Sequence, residues 1–569
     1  MPKAKPVASS PWNSELRLLA WLATCVSVIA FLFYFKRGDV LLYGDAVAHI
    51  NIARRVFDSK TPGLLQLGTV WLPLPHLLMI PFLISDEMWR RGAGGSIPSM
   101  IGYVFGVIGM LPLTRSTLGR SGDSGVSVHV AAWTGALVFA ANPNLIYMQS
   151  TAMGESLYLA LFIWAVVFFV KWSRGEAKAL TKCGLCLAGA CLTRYDGWFL
   201  AAAMTAVVLA RSWYIRQPHR PRGRAALQGR VSGKKETGAW VARASILKFV
   251  LIAGAAPALW LAYNGIVYGN PLEFENGPYS AKAIERKTHV EGNPGHPGSG
   301  NVLLSTRYFV KSAEDNLAEN EGLQRTWILL VLVALVAAVL RSRPNQADAA
   351  NTSWPLLFLL VPLPFYALSV AYGGVPIFIP NWWPFSYYNV RYGLQLTPAF
   401  AMAAAILVYV AVRSQALGRR LKLACVLGIL VFVSASYFSI WHSVPICLKE
   451  AQVNMRTRTQ LETELARWLE KLPADSTLLM YLGDHVGAVE RAGVPLQRTI
   501  NEGNHRVWKQ PVDPQGLWER ALADPTKYAD FVLAFEGDPV WQAVHEKRLA
   551  EIVEIRVTGQ PCAILYRAR

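Results

Sequence analysis

An aspartate and a histidine lie four residues apart, directly after the first long apolar segment of the chain. A helix through this stretch would put Asp45 and His49 on one face, and a carboxylate with an imidazole is suited to general acid–base chemistry. The stretch Tyr43–Arg55 is therefore a candidate catalytic loop. Alternatively, Asp45 only caps the N-terminus of a short surface helix, which the neighbouring Gly44 and Ala46 would also suit.

Charged residues also lie at the ends of later apolar segments. Glu155 begins one of them, where an acid is costly unless it is paired or functional, although the positive end of a helix also favours a glutamate. Arg194 and Asp196 lie between two closely spaced apolar runs. They either form an ion pair with each other or face a polar cavity, and pairing is the simpler explanation.

An aromatic segment at residues 381–393 contains a further arginine. Arg391 precedes an apolar run, and its planar guanidinium is suited to holding a lipid phosphate. Snorkelling of this side chain to lipid headgroups is the alternative interpretation. Tyr392 follows the arginine directly, whereas Tyr388 and its aromatic neighbours also suit an interfacial belt.

Weaker site candidates lie in the long loop between residues 269 and 324. A loop of this length is usually functional or disordered. Glu273 and Tyr279 are its candidates, because they lie in the first half of the loop, which we expect to be ordered.

The composition indicates a membrane protein. Hydrophobic residues make up 53% of the 569 residues and the mean hydropathy is +0.28, which is too apolar for a soluble chain of this length. The first apolar block, Leu16 to Phe35, is predicted as a retained helix with a cytoplasmic N-terminus, since no cleavage site follows it. Eleven spans are predicted, at residues 16–35, 97–113, 126–141, 155–172, 180–194, 197–213, 246–268, 325–340, 354–371, 393–412 and 421–441.

The distribution of basic residues supports this topology. The segment 70–84 is short and contains three prolines, so it is predicted as a membrane-surface or re-entrant segment. The basic loops then all fall on the cytoplasmic side, as expected for short loops rich in Lys and Arg. The formal net charge of +19 mainly reflects these cytoplasmic loops, and it would also attract anionic lipid headgroups. Nucleic acid is not an expected partner.

After residue 445 the composition becomes that of a soluble protein. Residues 1–445 are therefore predicted as a membrane domain, and residues 446–569 as a small extracytoplasmic α/β domain. The predicted elements of this second domain are a helix at 456–471 and strands at 478–482, 531–535, 552–557 and 563–566.

The seven cysteines do not indicate a metal or redox site. Cys183 and Cys186 have the spacing of a ligand pair, but no second pair and no nearby histidine accompany them. Cys447 and Cys562 are the two cysteines of the predicted outer domain. We hypothesise that they form a disulfide.

The order of these features resembles the GT-C glycosyltransferases. This superfamily includes protein O-mannosyltransferases, the lipid A aminoarabinose transferase and the catalytic subunits of oligosaccharyltransferases, and the bacterial protein O-mannosyltransferase-like enzymes are the nearest group. The resemblance covers residues 16–441 and implies a mainly α, polytopic helical bundle. It rests on Gly44-Asp45 in the first outer loop, the Pro-rich Leu72–His76, Glu155 in the second outer loop, and Arg391-Tyr392 before a late span.

The resemblance implies sugar transfer with inversion, from a polyprenyl-phosphate donor to a protein, lipid or glycan acceptor at the outer face of the plasma membrane. Asp45 would be the general base, with His49 and Glu155 as further catalytic residues. The donor phosphate would be held by Arg391, Arg194 and Tyr392, and the substrates would contact Asp196, Tyr388, Glu273 and Tyr279.

The sequence departs from the group at one position. Many members have Asp-Glu at the first-loop site, whereas Ala46 follows Asp45 here, which leaves open which second carboxylate assists the base. No cofactor is predicted, although a divalent metal is compatible with the class.

Two other classes of function remain as alternatives. A multi-pass transporter or lipid flippase would also have many spans with polar residues, but such proteins tend to show internal repeats and polar groups at mid-membrane. In this chain the charges gather near the predicted outer ends of the helices and no repeat is visible. A membrane scaffold that binds partners through its outer domain is the third class.

Overall fold

The computed structural model describes residues 11–119, 125–216, 232–288, 295–341, 354–483, 485–504 and 515–569. Residues 217–231, in the middle of the basic stretch between 211 and 248, lie outside these ranges. The helices of the membrane part are α1 (Pro11–Arg37), α2 (Gly44–Arg55), α3 (Leu74–Met79), α4 (Asp86–Arg90), α5 (Ala93–Leu118), α6 (Val126–Ala140), α7 (Pro143–Met148), α8 (Glu155–Ser173), α9 (Ala177–Cys191), α10 (Asp196–Arg216), α11 (Ser232–Tyr268), α12 (Glu273–Asn276), α13 (Ala281–Thr288), α14 (Val302–Asp315), α15 (Glu321–Arg341), α16 (Pro362–Tyr372), α17 (Thr397–Arg413) and α18 (Arg419–Ser443). Short 3-10 helices cover Asp39–Leu41, Leu64–Leu67, Ile80–Phe82, Trp354–Leu360 and Val390–Leu396.

The long apolar helices confirm a multi-pass membrane protein with a mainly α fold. Eight helical stretches among the described residues are long and apolar enough to cross a membrane. All eleven predicted segments are helical, and the three beyond these eight belong to α6, α9 and α10. Since α6 and α9 have only 15 residues each, the number of spans stays a prediction.

The Pro-rich segment at 70–84 does not form a long helix. It contains α3, of six residues, and the 3-10 turn Ile80–Phe82. A six-residue helix is far too short to cross the hydrocarbon core, as the prolines predict.

Helix α5 packs closely against both α2 and α8. A Cβ at Gly95 of α5 would overlap the side chain of Ile50 of α2, and a Cβ at Gly102 would lie 2.7 Å from the backbone N of Leu157 of α8. Glycine at these positions therefore permits both helices to approach α5 closely. This packing sets the relative position of the helix starts that carry the acidic candidates.

The C-terminal part combines one long helix with a small sheet. Its helices are α19 (Ile446–Leu469), α20 (Val486–Ala492), α21 (Leu517–Ala523), α22 (Pro525–Tyr528) and α23 (Pro539–Val544), and its strands are β1 (Leu478–Met480), β2 (Thr499–Ile500), β3 (Phe531–Phe535), β4 (Ala550–Ile555) and β5 (Ala563–Arg567). The strand order is β2-β1-β3-β5-β4, in which β1 is parallel to β2 and β3, and β5 is antiparallel to β3 and β4.

The predicted strands are confirmed, and two features of this part differ from the prediction. The two-residue strand β2 is too short to give a pattern in the sequence. Helix α19 begins at Ile446 rather than at residue 456, because Cys447, Leu448 and Ala451 are buried against the membrane part. The predicted domain division at 445/446 stays a prediction.

The hypothesis of a disulfide between Cys447 and Cys562 is wrong. Both thiols are free and buried. The Sγ of Cys447 lies 3.3 Å from Oδ1 of Asn316, whereas the Sγ of Cys562 lies 3.2 Å from Oε1 of Glu554. The two thiols therefore have separate partners, one in the membrane part and one on the edge strand β4.

Candidate active site

Arg391 lies at the centre of a buried ionic cluster. Its side chain is 7% exposed, and three of its nitrogens donate to three different carboxylates. Nη2 donates to Oδ2 of Asp45 at 2.5 Å, Nη1 to Oε1 of Glu450 at 3.0 Å, and Nε to Oε1 of Glu155 at 3.3 Å. One guanidinium thus joins the first turns of α2 and α8 to helix α19.

A second arginine extends the cluster. Nη1 of Arg194 donates to Oε1 of Glu155 at 3.0 Å, so one carboxylate oxygen accepts from both arginines. Nη2 of Arg194 donates to the Tyr366 hydroxyl at 2.9 Å, and that hydroxyl donates to Oδ2 of Asp196 at 3.0 Å. The prediction that Arg194 pairs with Asp196 therefore holds in a modified form, because the tyrosine bridges them and their direct contact is 3.5 Å.

Two tyrosine rings cover the guanidinium groups. The Cζ atom of Arg391 lies 5.0 Å from the ring centroid of Tyr43 and 5.1 Å from that of Tyr392. The Cζ atom of Arg194 lies 5.0 Å from the same Tyr392 ring. Aromatic faces stabilise cations electrostatically, so the ring of Tyr392 stabilises both arginines.

The cluster contains more acids than arginines. Within the described residues, two guanidinium groups, those of Arg194 and Arg391, pair with four carboxylates, those of Asp45, Glu155, Asp196 and Glu450. Buried charges require partners, and removing one partner of such a pair typically costs about 3–5 kcal/mol. Oε2 of Glu155 and Oδ1 of Asp196 are buried without a hydrogen-bond partner, so acceptor capacity remains in the site.

Asp45 differs from the other acids in its exposure. Its side chain is 39% exposed, whereas those of Glu155 and Glu450 are 1% exposed and that of Asp196 is 2% exposed. Asp45 is therefore the carboxylate of the cluster that solvent, or a bound substrate, reaches.

His49 contacts another histidine. Its Nδ1 lies 2.7 Å from Nε2 of His76 in α3, and its ring packs 4.9 Å from that of Trp71. Burial lowers the pKa of His49 and lowers that of His76 well below its ordinary value. Both imidazoles are therefore neutral at pH 7, which suits the short hydrogen bond between them because one ring donates and the other accepts.

The structure brings together most of the predicted site residues and separates others. Those joined by direct contacts are Asp45, Glu155, Arg194, Asp196, Arg391 and Tyr392. Tyr388 is 45% exposed and lies in the loop just before Arg391, where its backbone pairs with Phe378. Glu273 accepts a hydrogen bond from Asn270 within its own loop, and Tyr279 follows in that loop with 40% exposure.

Three contributing residues were missed by sequence reasoning. Glu450 lies nine residues beyond Trp441, where the last predicted span ends, and its signal in the sequence was an acid in the partly apolar stretch 446–451. Tyr366 lies within a predicted span, where one tyrosine among apolar residues is only a weak indication of a site residue. His76 belongs to the Pro-rich segment Leu72–His76, and its position in the sequence gives no sign of its contact with His49.

No group of three or more metal-ligating side chains occurs within the ranges that the structure describes. The expectation of no cofactor stays a prediction.

Solved structures with the same fold are membrane glycosyltransferases. ArnT from Cupriavidus metallidurans in the apo state aligns with a TM-score of 0.52 at 13% identity over 98% of both chains. ArnT from the same organism bound to undecaprenyl phosphate aligns with a TM-score of 0.50 at 11% identity over 99% of both chains. No protein-family model and no curated protein sequence matches the chain.

These alignments confirm the predicted resemblance at the level of fold. The chain has the GT-C fold of integral-membrane glycosyltransferases over nearly its whole length. The aminoarabinose transferase ArnT is one of the solved structures to which the chain is similar. The arabinofuranosyltransferase AftD from mycobacteria also matches, with a TM-score of 0.38 at 13% identity over 99% of this chain and 40% of that one.

Proposed function

We propose that this protein transfers a sugar from a polyprenyl-phosphate donor to an acceptor at the outer face of the membrane. The GT-C fold and the undecaprenyl phosphate bound to a structural neighbour support a lipid-linked donor. The observation that carries the proposal is the ion pair between Asp45 and Arg391. It joins a solvent-reachable base and a phosphate-binding group in one site.

Asp45 is the general base in this proposal because it is the exposed acid of the cluster. It takes the proton of the acceptor hydroxyl as the hydroxyl oxygen attacks the anomeric carbon. The bond from the anomeric carbon to the phosphate oxygen breaks, the lipid phosphate leaves with the electron pair, and a single displacement inverts the configuration. Such base assistance contributes about 10²–10⁴-fold in rate.

The arginines stabilise the leaving phosphate. The phosphate is a good leaving group without a proton, so it needs charge stabilisation, which a planar guanidinium provides through paired N–H donors. Arg391 uses three of its five N–H groups on carboxylates and Arg194 donates to Glu155 and Tyr366. The ring of Tyr392 contacts both cations.

The pairing of Asp45 with Arg391 suggests the order of events. Among the three carboxylates on Arg391, Asp45 is the exposed one, so a donor phosphate that arrives from the surface competes with Asp45 for Nη2. Displacement of the aspartate frees its oxygen to accept a proton. Donor binding would thereby release the base for the acceptor.

The remaining predicted residues take supporting roles. Glu155 joins the two arginines, Asp196 anchors Arg194 through Tyr366, and Tyr388 lies on the exposed side of the loop before Arg391. His49 lies one helical turn from Asp45 and stabilises that face of α2 through His76. Glu273 accepts a hydrogen bond from Asn270 of its own loop, and the proposal gives no role to Glu273 or to Tyr279.

The proposed location follows the predicted topology. The N-terminus is cytoplasmic, the C-terminal domain is extracytoplasmic, and the chain resides in the plasma membrane. Residues that bind the donor then face the side on which positively charged loops are rare.

The test is sugar transfer in membranes that contain the wild type or Asp45→Asn at matched levels. A panel of radiolabelled polyprenyl-phosphate sugars serves as donors. The matched control is Asp86→Asn, because Asp86 also pairs with an arginine at 2.5 Å, namely Arg54 at the other end of α2.

We expect transfer by the wild type and by Asp86→Asn, and none by Asp45→Asn. Full activity of Asp45→Asn would refute the role of the aspartate. No transfer by the wild type from any donor would refute the proposed function and favour the transporter alternative.

A further inference from the structure

Helix α19 presents one polar face to the two loops of the site. Cys447, Glu450, Asn454 and Arg458 follow one another at spacings of three or four residues, so they lie along a single stripe of the helix. Each of them makes a hydrogen bond to the loop before α2 or to the loop that contains Arg391.

Glu450 holds the turn around Arg391. Its Oε1 accepts from the backbone N of Asn389 at 3.0 Å and its Oε2 from the backbone N of Val390 at 2.7 Å. The same carboxylate accepts from Nη1 of Arg391 at 3.0 Å. It therefore fixes both the backbone before the arginine and the orientation of the guanidinium.

The turn needs this support. Asn389 has a φ of +58°, a left-handed conformation that costs free energy for a residue with a side chain, although asparagine tolerates it better than most. The two backbone N–H groups that point to Glu450 would be buried without partners if the carboxylate were absent, since Asn389 and Val390 are both buried.

The other members of the stripe hold the flanking backbone. Nδ2 of Asn454 donates to the carbonyl O of Tyr387 at 3.0 Å, in the loop before Arg391. Nη2 of Arg458 donates to the carbonyl O of Leu42 at 2.9 Å, and the hydroxyl of Tyr43 donates to the carbonyl O of Cys447 at 2.8 Å. Helix α19 thus contacts both the loop that precedes Asp45 and the loop that precedes Arg391.

We propose that Glu450 is the positioning residue that orients Arg391 toward the donor phosphate, and that the stripe of α19 sets the distance between the two loops. This inference rests on the proposed function of the site. It gives α19, the first helix of the C-terminal part, a role in catalysis, because this helix would hold Asp45 and Arg391 at the correct distance from each other.

A different role for Glu450 makes the opposite prediction. If Glu450 acted only as a negative charge near the donor site, its neutralisation would strengthen phosphate binding, because the cluster already has an excess of acids. If it positions Arg391, neutralisation weakens phosphate binding, because the guanidinium loses its orientation.

The experiment compares Glu450→Gln and Glu450→Asp with the wild type. Undecaprenyl phosphate is the binding probe, with tryptophan fluorescence of the detergent-purified protein as the readout, and donor KM and kcat are measured in the transfer assay. Hydrogen exchange of the peptides that cover residues 387–396 and 42–46 reports on the two loops directly. Glu490→Gln is the control, because it is the same substitution at a buried glutamate of the C-terminal part that does not contact Arg391.

We expect Glu450→Gln to bind the probe about 10- to 10²-fold more weakly and to raise donor KM, because a misoriented guanidinium loses a charge-assisted hydrogen bond to the phosphate. Exchange should become faster in residues 387–396. Glu450→Asp keeps the charge but has a shorter side chain, so its probe binding, donor KM and exchange should lie between those of the wild type and Glu450→Gln. Glu490→Gln should match the wild type in probe binding, in KM and in exchange of both loops.

Tighter probe binding by Glu450→Gln would overturn the inference, and so would unchanged exchange in residues 387–396. Faster hydrogen exchange in residues 387–396 with unchanged probe binding and donor KM would also overturn it, because the order of this loop would then not affect phosphate binding. If the wild type neither transfers sugar nor binds the probe, the proposed function has failed, while hydrogen exchange still decides whether Glu450 holds the Arg391 loop.

Discussion

Asp45 and Arg391 are 346 positions apart in the sequence, and Oδ2 of the aspartate accepts a hydrogen bond of 2.5 Å from Nη2 of the arginine. This ion pair links the first turn of α2 to the 3-10 helix before α17. It requires the packing of α2, α8 and α19 around one guanidinium.

Replacing Arg391 by lysine should impair use of the donor although the positive charge remains. A lysine has no planar fork, so it cannot bind three carboxylates and a phosphate in the same geometry. Loss of one charge-assisted hydrogen bond is worth about 1.5–3 kcal/mol, which corresponds to a rise in donor KM of roughly tenfold or more. The measurement is donor KM in purified protein.

The control for that substitution is Arg54→Lys. Arg54 is also buried and also binds two carboxylates, those of Asp58 and Asp86. We expect a loss of thermal stability in both variants but a changed donor KM only in Arg391→Lys. An unchanged donor KM in Arg391→Lys would contradict the role of the guanidinium fork.

Replacing Tyr366 by phenylalanine should destabilise the protein and lower its activity. The hydroxyl accepts from Arg194 and donates to Asp196, so its removal leaves two buried groups without that partner, at a cost of about 1–3 kcal/mol. The comparison is Tyr103→Phe, whose hydroxyl donates to the backbone carbonyl of Ala140 at 2.7 Å. The melting temperature should be lower than that of the wild type in both variants, whereas sugar transfer should fall only in Tyr366→Phe. Equal transfer by the two variants would argue against Arg194 as part of the site.

Glu490 should make stability depend on pH. It lies in α20, where Nδ2 of Asn51 of α2 donates to its Oε2 at 2.7 Å, and burial raises its pKa from about 4.5 to about 8. Because the folded-state pKa is the higher one, the unfolded chain loses the proton first as the pH rises. Stability is thus fully present below about pH 4.5, falls between about pH 4.5 and pH 8, and levels off above.

The variant Glu490→Gln isolates this contribution, since glutamine can still accept from Asn51 but does not titrate. We expect the melting temperature of the wild type to fall relative to that of Glu490→Gln between pH 5 and about pH 8, so that the variant is the more stable protein at the upper end. Intrinsic fluorescence on heating measures this. Parallel curves for the two proteins across that range would contradict the assignment.

Removal of divalent metals should leave transfer intact. The carboxylate oxygens that face the centre of the cluster accept from arginine nitrogens, and the guanidinium groups supply the positive charge for the leaving phosphate. Transfer should therefore be equal with and without a chelator. A loss of transfer that an added divalent metal restores would contradict this and would require a metal at the carboxylates.

Much of the fold follows from local patterns in the sequence. Apolar runs of sufficient length predict helices, and all eleven predicted segments are helical. The strand Phe531–Phe535 was predictable for the same reason, because a fully buried strand is a continuous apolar run. The two-residue strand β2 and the early start of α19 were not, because their structure depends on what they pack against.

The sequence by itself determined which residues were chemically unusual. Asp45, Glu155, Arg194 and Arg391 each stand at the end of an apolar segment, where a charge is costly unless it is used or paired. Only the tertiary structure decided that they share one cluster, that Tyr366 bridges Arg194 to Asp196, and that Glu450 completes the set around Arg391. The physical reason is the distance along the chain over which each effect acts. Helix formation and the cost of a buried charge depend on residues nearby in the sequence, whereas the choice of an ionic partner depends on how helices far apart in the chain pack together.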